Sequence, residues 1–386
     1  MKIRKNFWKY KWAWLYIAIA VATVVLNIMA WNSTVFCDTY IAHVFQIWVN
    51  TYGRLTGLFA FSVGEIMLVL AVVLVVLAAV LWFPVCIIKL VRGVKELKCV
   101  KVVKVYYKFF AWTSLIVCLV MTLNCTILYH ASTFSETYFG EENGEQYSFE
   151  DLVTVRNLVV EECRRLSLLM KRDAEGTVLY SEDIGEQAIV CMQELGETYE
   201  RLQGFYPHPK PLAASDFFSQ QRMCGYYFPF SMEANYNDVM YIMNKPATMC
   251  HELAHLRGYI FEDEANFISF LACIQSDDPV FEYSGYLSVL YYLDNDFWDA
   301  VGRNRELYNA QPAITAQVHA DNIFLTDEEW KRINGKALIN TEVVDEISDV
   351  VVDTTLKANG VGDGMNSYNR VVKLLLQYYK RQGVIE

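Results

Sequence analysis

Before residue 130 the chain alternates long apolar runs with polar connections; after it, apolar residues fall at helical intervals among many acidic ones. Trp12 to Trp31, Ile66 to Ile88 and Phe109 to Tyr129 are uncharged runs of 20, 23 and 21 residues. Each suffices to cross a hydrocarbon core of about 30 Å, so the pattern predicts three transmembrane helices. Trp at both ends of the first run, and no clear small-residue cleavage site, make it an anchor rather than a signal peptide. Between the first and second runs Phe36, Tyr40, Val44, Trp48 and Tyr52 recur every four residues. That spacing predicts an amphipathic helix over about 35–57, lying on a membrane face.

The remainder, 131–386, reads as a mostly helical domain with a small sheet. After an acidic linker at 140–147, Ser148 is placed to cap a helix over 149–171, with Val155, Val159, Cys163 and Leu166 on its inner stripe. A second helix is predicted over 184–202. Three prolines within 205–211 then break the pattern, and His208 in that loop reads as a surface residue. From Leu212 to Met243 the aromatic content, including Phe217, Phe218 and Tyr226 to Phe228, predicts strands with turns at Gly225 and at 235–238. Asn244 and Pro246 mark the start of another helix. Further helices are predicted over 283–293, 294–311, 326–333, 341–357 and 368–382, and 362–366 reads as a turn.

Charge changes the picture by giving an orientation. Five Lys or Arg precede the first run and seven lie between the second and third, whereas the first connection holds only Arg54. The positive-inside rule therefore predicts a cytoplasmic amino terminus and an extracytoplasmic 131–386. Of the 33 Lys plus Arg, 13 precede residue 131, against 3 of the 44 Asp plus Glu, which leaves the remainder at about −21. Nucleic acid is excluded as a partner on this ground, because phosphate binding needs a basic face. The ten cysteines are irregularly spaced and predict buried free thiols rather than a disulfide framework.

Chemistry concentrates in His251-Glu252-Leu253-Ala254-His255, followed at Glu262 by Glu262-Asp263-Glu264-Ala265-Asn266. On a helix, His251 and His255 share a face and reach one metal ion, and Glu252 flanks it as a base for a metal-activated water. Gly258 is suited to end that helix in the left-handed conformation and return the chain. Glu262 then opens a second helix as third zinc ligand, with Glu264 as its rival. Asn266, one turn on, is placed to orient a metal-bound histidine. Asp353 and Asp363 are remoter candidates for that orienting role. Any of several tyrosines, among them Tyr283, Tyr286, Tyr292 and Tyr368, offers an oxyanion donor, and sequence alone does not choose between them.

The ExxAN read from Glu262 to Asn266 after HExxH resembles the gluzincin peptidases. Over the whole chain the sequence is similar to a bacterial membrane family, domain of unknown function 3810. That similarity rests on Leu58 to Glu65, the His251 to Phe267 block, and a tail running from Lys357 to Gly360 and from Tyr368 to Tyr379. Glu262 follows His255 by only seven positions, closer than the usual gluzincin spacing. The resemblance implies a zincin-like α+β catalytic domain, Zn2+, a bacterial cytoplasmic membrane and a peptide substrate held along a sheet edge.

The resulting expectation is a membrane-anchored, mainly α protein. Its membrane domain, 1–130, carries transmembrane helices at 12–31, 66–88 and 109–129; the catalytic domain is 131–386. The expected function is that of a zinc-dependent metallopeptidase acting on a peptide or protein beside the lipid bilayer. The alternative is a noncatalytic zinc-containing membrane sensor or scaffold, against which an intact Glu252 argues.

Overall fold

The computed structural model describes residues 2–92, 98–140, 147–362, 364–365 and 370–386. Most of the acidic linker, Asp363 and Tyr368 therefore lie outside the described residues. The chain is mostly helical with one three-stranded sheet, and it forms two compact units. The first holds residues 1–40, 63–131 and 229–231; the second holds 41–62, 132–228 and 232–386.

The first unit is built on helices Lys2–Asn32, Val63–Arg92 and Lys98–Met121. Three stretches are long and apolar enough to cross a membrane: Tyr10–Asn32, Val63–Trp82 and Lys101–Phe139. Their side chains, such as Val72, Val76 and Val105, are largely exposed, as expected where the surrounding medium is itself apolar. Polar contacts between helices are few and specific. Asn27 Nδ2 donates to Thr122 Oγ1 at 2.7 Å, and the Trp112 ring meets Trp12 and Tyr16 edge-on.

In the second unit, Ser148 caps the Phe149–Ser167 helix through a complete capping box with Asp151. This helix packs with Ile184–Thr198, Pro279–Ala300 and Val371–Arg381 around the helix Glu262–Ile274. Glu262–Ile274 is buried on nearly every side, from Ala265 through Phe267, Phe270 and Leu271 to Cys273, which makes it the centre of the core. Pro279–Ala300 is one continuous helix capped by Asp278, where the sequence pattern suggested two shorter ones. At the expected break, Arg156, fully buried, takes up Asp294 at 2.8 Å. The described cysteines are free thiols.

The sheet has the order β1-β3-β2, with β1 (Lys210–Pro211) parallel to β3 (Glu233–Tyr236) and β3 antiparallel to β2 (Gly225–Phe228). The predicted strand region is thus only partly strand. Ser215–Gln220, with Phe217 exposed and Phe218 buried, is a short helix, so its aromatic strand propensity is overridden by the surrounding fold. Two further short helices, Arg305–Asn309 and Ala316–Asp321, carry no strong periodicity of their own.

Residues 34–56 are helical, alternating α turns with the π turns Ile41–Phe45 and Val49–Gly53. Between Ile41 and Thr56 the buried positions are Ile41, Phe45, Val49, Gly53 and Thr56; Val44 and Tyr52, on the stripe expected at the membrane face, are exposed. The π turns widen the helix so that every fourth residue stays on one face. Lys210 on β1 fastens the end of this segment. Its buried amine donates to Thr56 O at 2.7 Å, to Phe61 O at 3.2 Å and to Glu233 on β3.

A buried ion pair costs most when one partner is removed. Lys210→Met should lower unfolding stability of the solubilised chain by about 3–5 kcal/mol, and adding Glu233→Leu should recover much of that loss. Denaturant titration of the two variants checks both halves of this expectation.

Candidate functional site

The HExxH helix spans Lys245–His255. It begins with Pro246 in its first turn, but Asn244 does not cap it through its side chain as expected. A 3-10 turn, Ile242–Asn244, runs directly into the helix, and the Asn244 amide is spent instead on Ile323 O at 2.7 Å. At the other end Gly258 adopts φ +89°, the left-handed region that a side chain disfavours. The chain reverses there and enters the Glu262–Ile274 helix at Glu262.

This reversal brings His251, His255 and Glu262 together, with one ligand atom from each lying within 4.8 Å of the others. Glu262 Oε2 is 3.0 Å from His251 Nε2 and 4.0 Å from His255 Nε2. Three ligands each at about 2.0–2.1 Å from a tetrahedral ion stand roughly 3.3 Å apart, which those two distances bracket. The rings meet edge-on, with centroids 4.7 Å apart. The far side of each ring is held. His255 Nδ1 donates to Tyr259 O at 2.7 Å, and His251 Nδ1 lies 2.9 Å from Asn266 Oδ1. A ring that donates from Nδ1 keeps Nε2 as an acceptor, the form a metal requires.

Electrostatics differ sharply between the two histidines. Burial depresses His255 to about 4, so it stays neutral near pH 7. Burial acts the same way on His251, but hydrogen bonding and charge from Glu262 outweigh it and the net shift is upward.

Glu252 is 5 % exposed, and burial pushes its carboxyl up to about 8. The Tyr227 amide on β2 hydrogen-bonds to the carboxylate and pulls the other way, while Oε2 is buried and unpaired. Gly225 lets the strand come this close, since a Cβ there would stand 2.4 Å from Glu252 Oε1. The edge strand β2 thus lies directly against the motif carboxylate. Sequence reasoning placed a turn at Gly225 and missed this approach; the only available signal was a glycine within an aromatic run.

The other candidates separate. Glu264 turns away from the two histidines, accepts from the Phe134 amide, and is raised by burial to about 8. Asp353 pairs with Lys357 at 2.7 Å and accepts from the Met365 amide. His208 is half exposed beside Asp183. Among the tyrosines, Tyr283 is committed to Asp321 at 2.9 Å and Tyr286 packs edge-on against Phe270. Tyr292 is the one whose phenol feels Glu262; burial, with the Glu262 charge second, raises it to about 12.

No curated protein and no solved structure matches this sequence. One family model does, over residues 40–376, and the chain accordingly belongs to the family described as protein of unknown function, DUF3810.

Proposed function

We propose that this protein is a membrane-bound zinc-dependent peptidase, gluzincin-like in its site and zincin-like in its α+β catalytic unit. The observation that carries the reading is the convergence of His251, His255 and Glu262 beside the buried Glu252. In this reading the amino terminus is cytoplasmic and the unit bearing the site lies outside a bacterial cytoplasmic membrane. The three apolar helices and the Lys and Arg asymmetry support that placement.

His251, His255 and Glu262 would hold zinc, and their donor set suits that ion: two neutral imidazoles oriented from behind and one carboxylate. Zinc supplies Lewis acidity toward a water and the scissile carbonyl. Glu252 takes the proton from the attacking water and returns it to the leaving amine. Burial raises that carboxyl to about 8, and the charge of a bound zinc would favour its ionised, proton-accepting form. Tyr292 donates to the developing oxyanion, a role its place beside Glu262 supports. The outer strand of the sheet, β2, would hold the substrate extended, through backbone hydrogen bonds.

One observation favours the second reading, a noncatalytic zinc-containing sensor or scaffold. Glu252 lies closed beneath Gly225, so a substrate reaches it only if the β2 edge moves.

Purified full-length protein with one zinc per chain should cleave unfolded casein or a peptide library, and a chelator should abolish the cleavage. Glu252→Gln should keep zinc and lose turnover, whereas His251→Ala should lose both; equal metal loss in the two variants contradicts the role given to Glu252. Gly225→Ala tests the contact between β2 and Glu252. Its methyl displaces strand or carboxylate, costing about 1–3 kcal/mol of stability. In a peptidase it should also cut turnover on the order of a hundredfold with zinc retained. Full turnover in Gly225→Ala would show that the contact between β2 and Glu252 has no part in the chemistry.

A further inference from the structure

The segment between the first two apolar spans belongs to the same compact unit as the candidate site. Its inner face, Ile41, Phe45, Val49 and Gly53, is buried. Outward, Val44, Ile47 and Leu55 on the helical turns and Leu58, Phe59 and Phe61 in the turn that follows are between 41 % and 78 % exposed, beside the exposed polar residues His43, Asn50 and Thr51. So many exposed apolar side chains in one short segment call for an apolar medium or partner.

We infer that Ile41–Ser62 is a bilayer-seated surface of the unit that carries the site, its outward stripe lying in the acyl-chain edge of a lipid membrane. Three observations choose the bilayer over a protein partner. The chain leaves one membrane-length helix at Asn32 and enters the next at Val63, so both ends of the segment start from the same bilayer face. Between Ile41 and Ser62 there is no acidic residue, in a protein otherwise strongly acidic, and the single arginine, Arg54, lies over the Phe205 ring at 3.8 Å. Trp48 and Tyr52, with ring centroids 5.7 Å apart, supply the amphipathic aromatics that favour the headgroup level.

The seat is fastened to the catalytic sheet. Lys210 holds the Thr56 and Phe61 carbonyls against β1 and β3, and β3 carries β2, whose Gly225 lies on Glu252. Resting on the membrane-bound reading above, this assigns the site a substrate class: polypeptide at the membrane–water boundary, such as the segment adjoining a membrane anchor.

The test uses the full chain in phosphatidylethanolamine and phosphatidylglycerol nanodiscs. Benzoylphenylalanine is introduced singly at Ile47 or Leu58, both exposed, with Val73 as a control within a span and Glu328 as a water-facing control. Irradiation should give lipid adducts at Ile47 and Leu58 within about threefold of Val73, and roughly tenfold above Glu328. Lipid adducts at Val73 with only water quenching, a second copy or another protein at Ile47 and Leu58 would overturn the seat while leaving the membrane reading standing. No lipid adduct even at Val73 would overturn both.

Discussion

The candidate site depends on one hydrogen bond more than on any other, that from His255 Nδ1 to Tyr259 O. It joins the last turn of the HExxH helix to the backbone of the reversal that follows. It fixes which ring nitrogen carries the proton, and it holds the four residues after His255 so that Glu262 returns to the histidine face. Without the left-handed Gly258 the chain would continue along the helix axis. Glu262 would then stand about 10 Å further on, at 1.5 Å per residue for seven residues. The short spacing between His255 and Glu262 is therefore no obstacle to their meeting, because a tight turn replaces a longer loop.

The surroundings of Glu252 show a second constraint. A buried carboxyl with one unpaired oxygen is costly, and the fold tolerates it because the Tyr227 amide offsets part of the desolvation. Burial sets the proton affinity and the strand sets the position. The Tyr227 amide that offsets the burial and the Gly225 backbone that lies on the carboxylate come from the same strand, so β2 both stabilises the carboxylate and restricts access to it. A sheet of three strands, none longer than four residues, lacks the area to stand alone. It is held by the helices against it and by the buried amine of Lys210.

Much of this was legible in the sequence where a local rule operates. The i, i+4 histidines, the glycine that ends their helix and the carboxylate that opens the next are short-range features, and the three side chains meet as their spacing implies. The membrane-length helices follow from length and composition. What sequence did not reveal is set by distant partners. Phe217 and Phe218 look like strand residues, yet they lie in a short helix with only Phe218 buried. Asn244 looks like a cap until Ile323 claims its amide. The four-residue spacing of residues 36–52 was legible, but not the π turns that keep Ile41, Phe45, Val49 and Gly53 on one buried face, since no propensity scale encodes them. Tyr292 could not be chosen among many tyrosines, since its neighbours Glu262 and Asn266 lie on another helix.

The division into two units does not follow chain order, and this bears on how the site is maintained. The unit with the histidines includes Ile41–Ser62, drawn from between the first two apolar helices. A chain begun at residue 131 would lack the Thr56 and Phe61 carbonyls, leaving the Lys210 amine buried with Glu233 as its one named acceptor. It would also expose the surfaces that Ile41, Phe45 and Val49 cover. The parallel pairing of β1 with β3 is only two residues long, so it has little of its own to resist such a loss. Strand β3 in turn registers β2 through four residue pairs, and β2 places Gly225 and the Tyr227 amide against Glu252. The position of the motif carboxylate is thus tied, contact by contact, to a segment some two hundred residues earlier.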